Sequence, residues 1–195
     1  MNDTINYYNQ NASAFIEGTI NVNMGDIYKR FLDVIPGQSH ILDLGCGSGR
    51  DSKFFNDIGH LVTAVDGSPE LCQKATEYTG LPVRCMLFDE LDFHEEFDAV
   101  WACASLLHVE KSKMLDVLKL VSNALKSGGT LYVSYKYGQN QRLQSGRLFS
   151  DYTEEDIPFL FNQENNLNCL EWWITADARP DRSNEQWLNI LCKKA

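Results

Sequence analysis

Apolar residues recur along this chain in two alternating rhythms, and the alternation predicts its architecture. From Met24, the spacing of Ile27, Tyr28, Phe31 and Leu32 gathers one helix face, which Pro36-Gly37 stops. A short apolar run, Ile41, Leu42 and Leu44, reads as a strand, and Phe54, Phe55 and Ile58 then share a helix face that ends at Gly59. The pattern repeats: strand 60–66, a helix with Leu71, Ala75 and Tyr78 closed by Gly80, then strands over 82–89 and 97–105. Met114, Leu118, Val121 and Leu125 mark a long helix ending at Gly128-Gly129, followed by the strand TLYVSYKYG. Thr153 looks like a capped helix start that Pro158 interrupts. Two last strands, 167–178 and 185–194, are joined by about seven residues, too few for a parallel crossover, so they are expected to be antiparallel. Alternating strands and helices without repeat or linker mean an α/β fold on a mostly parallel sheet.

The first strand runs into Asp43-Leu-Gly-Cys-Gly-Ser-Gly, with glycines at Gly45, Gly47 and Gly49. Glycines there let the chain turn sharply and bring backbone N–H groups close to a ligand, and a helix beginning near Arg50 aims its free N–H groups at any negative group. Taken alone, such a stretch is equally a simple tight turn. The dinucleotide fingerprint needs a glycine where Arg50 stands. Asp43, two residues before the first glycine, suits a ligand that carries positive charge. The second strand ends in Asp66, 23 positions after Asp43, about one βαβ unit on, where a carboxylate can accept hydrogen bonds from ribose hydroxyls. Gly67, Ser68 and Pro69 follow, a serine cap with proline at the first helical position.

Residues 41–50 resemble the first motif of the class I S-adenosylmethionine-dependent methyltransferases, and the likeness continues through VDGS, WACASLLHV and LKSGGTLYVSYKYG. Within that family the chain is most similar to small bacterial methyltransferases labelled tellurite-resistance-like, down to a late DARPDRSNEQWLN. The resemblance implies a Rossmann-like α/β fold: a seven-stranded, mostly parallel sheet with an antiparallel last strand, helices on both faces, and a single domain over 1–195. It also implies S-adenosylmethionine as cofactor and S-adenosylhomocysteine as product. The contacts it assigns to the cofactor are Asp43, Gly45, Gly47, Gly49, Arg50, Asp66, Gly67 and Ser68, with Ala102 at the fourth strand. Many relatives hold the adenine amine with an acidic residue at the end of the third strand. Here Leu87 falls in that place, so adenine is left to Leu87 and Phe88, or to Asp89 after a shift. Tyr8, Ala12 and Phe15 match a pattern that folds over the cofactor in relatives, which makes residues 1–37 an expected helical cap with Tyr8 at the cofactor. Plain core packing is the other reading of these aromatics.

With 195 residues and a formal charge of −10, the chain is poorly suited to attract nucleic acid or an anionic membrane surface. It has no apolar run of membrane-spanning length, and its polar start lacks the apolar core of a signal peptide, so a cytoplasmic protein is expected. Six cysteines lie scattered with no C-x-x-C pair, the pattern of buried free thiols rather than of a metal site. A monomer or homodimer fits this size.

The chemistry implied is in-line transfer of a sulfonium methyl, for which alignment and exclusion of water matter most. If the acceptor is a hydroxyl, His108 is the candidate general base; otherwise it is a capping or core histidine. Motifs for amino methylation of bases (Asn-Pro-Pro-Tyr or Asp-Pro-Pro-Tyr) and for cytosine carbon methylation (Pro-Cys) are absent, which favours a small-molecule acceptor. Lys136, Arg142, Arg147, Arg179 and Arg182 could ring an anion. Arg147 and Arg179 are taken as substrate contacts, and Lys136 and Arg142 as scattered solvated charge. Two other classes remain at this point, a dinucleotide-dependent oxidoreductase and a non-catalytic cofactor-binding partner.

Overall fold

The computed structural model describes residues 2–162, 165–179 and 182–195. Two helices, α1 (Asn2–Thr19) and α2 (Gly25–Leu32), precede β1 (His40–Leu44). Then follow α3 (Arg50–Asp57), β2 (Leu61–Asp66), α4 (Pro69–Thr79), β3 (Val83–Cys85), β4 (Phe97–Ala102), α5 (Met114–Ala124) and β5 (Leu125–Lys136). The remainder is a hairpin, β6 (Gln141–Gln144) and β7 (Arg147–Ser150), a single helical turn α6 (Ile157–Leu160), and β8 (Leu167–Ala176) with β9 (Gln186–Lys194). Seven strands form one sheet in the order β3-β2-β1-β4-β5-β9-β8. The pairs from β3 to β5 are parallel, and β9 runs antiparallel to both β5 and β8.

Strand alternation divides the core between the two faces of this sheet. Ile41, Ala99, Trp101, Tyr132 and Leu191 meet α2 and α3 through Tyr28, Phe31 and Phe55. Their neighbours Leu42, Val100, Leu131 and Val133 meet α5 through Val117, Leu118 and Val121. Helices therefore cover both faces, as expected.

Three local expectations are corrected. The third strand is confined to Val83–Cys85, because past Met86 the chain turns into a 3-10 segment, Phe88–Glu90, in which Glu90 accepts the Leu87 N–H at 2.9 Å. Helix α5 ends at Ala124, not at the glycine pair: Leu125 already pairs with Phe97, and Gly128 (φ +72°) lies in a bulge before Thr130 resumes the ladder with Ala99. The β6–β7 hairpin was not anticipated at all. From Thr153, a 3-10 turn in which Asp156 accepts the Thr153 N–H leads into the four-residue α6, where Pro158 occupies the first turn.

Candidate active site

The turn from β1 into α3 needs its glycines. Gly45 has φ +80° and Gly47 φ +55°, values that cost residues with a Cβ about 1–2 kcal/mol. Space is also lacking: a Cβ on Gly45 would stand 2.4 Å from that of Ser105, and one on Gly47 would stand 3.0 Å from the Phe15 ring. The backbone so folded is tied to the end of β2, since the Gly47 N–H donates to Asp66 Oδ2 and the Ser68 N–H to Asp66 Oδ1, each at 2.9 Å. Burial pushes the Asp66 carboxyl above its ordinary value, and the N–H groups of Ser68, Gly47 and Gly67 oppose that rise. Ser68 caps α4 by accepting from the Leu71 N–H and donates its own hydroxyl to Asn9 of α1 at 2.6 Å. Asp66 and Gly67 line a cavity of about 70 Å³ whose apolar walls include Leu71, Met86, Leu87 and Phe88. Asp89 is exposed and does not line it.

Asp43 lies beneath the loop, outside the lining of either cavity, and accepts from the Ser52 hydroxyl at 2.5 Å. Burial, then the neighbouring Asp51, push its carboxyl up to about 8. Arg50 is engaged through Nε and Nη2 with Asp51 (2.6 and 2.9 Å) and through Nη1 with the Thr19 carbonyl (3.2 Å). Asp51 also accepts from Trp101 Nε1 at 2.8 Å and from the Tyr28 hydroxyl. Burial alone would raise the Asp51 carboxyl, but Arg50 and the Tyr28 and Trp101 donors hold it below its ordinary value. The Arg50–Asp51–Tyr28–Trp101 cluster was missed in the sequence, where only the adjacency of Arg50 and Asp51 hints at it. Ala102 is a core residue of β4; Cys103 and Ala104 face the larger cavity in its stead.

That larger cavity, about 200 Å³, adjoins the first through shared walls at Tyr8, Gly45, Gly47, Ala104 and His108. His108 is held at both nitrogens: Nδ1 lies 2.6 Å from the Leu148 carbonyl and Nε2 2.8 Å from the Tyr8 hydroxyl. Burial, reinforced by the Arg147 charge and resisted by the Leu148 carbonyl, lowers the ring to about 4. The ring is therefore neutral near pH 7, with Nδ1–H donating to Leu148 and Nε2 accepting from Tyr8. The unforeseen hairpin supplies this wall. It contributes the Leu148 carbonyl, the Arg147 guanidinium 4.3 Å from the Tyr7 ring centre, and Phe149.

The other cations are differently disposed. Arg179 clasps Asp177 through Nε (2.8 Å) and Nη2 (2.6 Å). Lys136 is buried rather than solvated, paired with Asp177 and Glu185. Arg142 pairs with Asp151 and also faces the cavity, so the reading of Lys136 and Arg142 as scattered surface charge fails.

Residues 41–129 match the family model described as a methyltransferase domain. The match spans just under half of the chain, which over that stretch is similar to the class I S-adenosylmethionine-dependent methyltransferases. An uncharacterized methyltransferase of Staphylococcus carnosus is 26% identical over 159 residues, covering 78% of this chain and 72% of that one. A ubiquinone biosynthesis O-methyltransferase of Xanthomonas campestris pv. campestris is 33% identical over 107 residues, 51% of this chain and only 44% of that protein's length. Among solved structures, the Burkholderia thailandensis 1,6-didemethyltoxoflavin-N1-methyltransferase superposes with TM-score 0.76 at 23% identity, covering 98% of this chain and 85% of that one. A methyltransferase of Methanosarcina mazei gives 0.75 at 20%, over 86% and 97%.

S-adenosylmethionine is the cofactor of the methyltransferases that this chain resembles, and the residues present fit it. Backbone approaches the cleft where any Cβ would collide, each Asp66 oxygen has accepted one N–H and keeps capacity for a hydroxyl, and the small cavity beyond is apolar as a purine face requires.

Proposed function

We propose that the chain transfers a methyl group from S-adenosylmethionine to a small-molecule acceptor held in the larger cavity. When bound, the cofactor supplies a methyl group activated by an adjacent sulfonium. Gly45, Gly47, Gly49, Gly67 and Ser68 shape its seat, Asp66 receives the ribose, Leu87 and Phe88 flank the adenine, and Arg50 with Asp51 faces the methionine end. The segment 1–37 closes over this seat as part of one domain spanning 1–195, with Tyr8 and Phe15 excluding water from the junction of the two cavities. On the acceptor side, His108 fixes Tyr8 in place, and Arg147 and Arg179 orient the incoming molecule.

The observation that carries this reading is the adjacency of the two cavities across shared walls, which sets a cofactor seat beside space for an acceptor. The Xanthomonas and Burkholderia proteins, both enzymes of small molecules, favour the same class. Six free cysteines fit a reducing compartment and support a cytoplasmic location; among the described residues no helix is long and apolar enough to cross a membrane.

Calorimetry with S-adenosylhomocysteine is expected to give one site per chain. Loss of the ribose contacts in Asp66→Ala should weaken it about 10- to 1000-fold, since each hydrogen bond to a charged group contributes about 1.5–3 kcal/mol. Equal affinity in a folded Asp66→Ala variant would move the ribose elsewhere, and transfer of labelled methyl to none of a broad panel of small acceptors would favour a non-catalytic partner.

A further inference from the structure

Arg147 differs from Lys136, Arg142 and Arg179, which line the same cavity. Lys136, Arg142 and Arg179 each meet a carboxylate, but no acidic side chain is paired with Arg147 among the described residues. Its Nε is buried and has no hydrogen-bond partner. Its guanidinium lies against aromatic rings instead, 4.3 Å from the centre of Tyr7, 5.1 Å from Phe149 and 5.9 Å from Tyr8. In a chain of net charge −10, a half-buried cation with a buried Nε and no acidic partner at a cavity wall is a receptor for an anion that comes from outside. The flanking rings favour a flat, apolar body attached to that anion.

Beside it, the two groups that could remove a proton are closed on each other. The Tyr8 hydroxyl and His108 Nε2 are 2.8 Å apart, and His108 Nδ1 is bonded to the Leu148 carbonyl. Neither of these two is left free to deprotonate an alcohol, so an acceptor that arrives ionised is the one this wall suits.

We infer that the acceptor is an aromatic or heteroaromatic molecule with an acidic O–H or S–H, bound as its phenolate or thiolate with the negative charge on Arg147. This rests on the methyltransferase reading above and names its substrate class. The step balances without a base: the anionic oxygen or sulfur donates an electron pair to the methyl carbon, the carbon–sulfonium bond breaks with its electrons returning to sulfur, and the proton has already gone to solvent. The product is a neutral ether or thioether, which loses its hold on Arg147 and leaves.

The probe is 4-nitrophenol, whose anion is coloured, compared with its neutral methyl ether 4-nitroanisole. Both are titrated into protein saturated with S-adenosylhomocysteine. The phenolate is expected to bind about tenfold or more tighter than the ether, and absorbance should show the bound phenol ionising at lower pH than the free one. In Arg147→Gln the two ligands should bind within about twofold and the spectral shift should vanish, whereas Arg147→Lys should retain part of both; unchanged S-adenosylhomocysteine affinity certifies that each variant is folded. Equal binding of phenolate and ether, a preference that survives in Arg147→Gln, or binding of neither would overturn the inference while leaving the cofactor reading intact. Failure of the wild-type protein to take up S-adenosylhomocysteine would instead strike the reading beneath it.

Discussion

The ring of His108 has a bond at each nitrogen, to the Leu148 carbonyl and the Tyr8 hydroxyl, and burial holds it near 4. A general base works best with a pKa close to the operating pH, where it contributes about 10²–10⁴-fold. His108 at about 4 is too weak a base for that work, and in the function proposed above its part is to hold Tyr8 at the junction of the cavities. Replacement by Ala is therefore expected to lower single-turnover methyl transfer to an anionic acceptor by less than about tenfold, and to leave the pH–rate profile between 6 and 8 without a new inflection. A loss of about 10³-fold that follows the ionisation of an imidazole would restore His108 to the role of base.

At the scale of elements, the strand-to-helix turn has little latitude. Gly45→Ala adds a left-handed residue and a Cβ 2.4 Å from that of Ser105 on the neighbouring β4 loop. We expect about 2 kcal/mol or more of destabilisation in urea unfolding, with weakened S-adenosylhomocysteine binding; an unchanged midpoint would mean that the loop after β4 yields freely. This turn was legible in the sequence because its glycines and Asp66 sit at fixed offsets around two apolar strands. The β6–β7 hairpin was not legible, since QRLQ and RLFS are four-residue strands without sustained alternation, and only Ser145-Gly146 marks the turn. The third strand was overread because apolar Met86, Leu87 and Phe88 continue its pattern while the backbone has turned to build a cavity wall. The pairing of Lys136 with Asp177 was hidden as well, since the two lie 41 positions apart and no local pattern records such a contact.

Across the whole molecule, a chain of net charge −10 buries three carboxylates, Asp43, Asp51 and Asp66, around one loop, and only Asp51 has a cation directly on it. The cofactor-free fold therefore holds a proton that the unfolded chain gives up. Asp43 ionises near 3.8 when unfolded and about 8 when folded, so the stability linked to it is complete below about 3.8 and is lost as pH rises toward 8. His108 acts in the opposite sense: its folded value of about 4 lies below 6.5, so its share is complete above 6.5 and is lost as pH falls toward 4. Between 4 and 6.5 the two slopes oppose one another. Above 6.5 Asp43 dominates, and the raised Asp66 carboxyl acts in the same direction as Asp43. Stability of the cofactor-free protein should thus fall by about 1 kcal/mol between pH 6.5 and 8, a drop of about 2–4 °C in Tm. Asp43→Asn fixes the neutral form and keeps an acceptor for Ser52, so thermal melts of that variant should flatten over the same window. If its slope matched that of the wild type, the proton would reside elsewhere in the molecule, and Asp43 would be ionised beneath the loop.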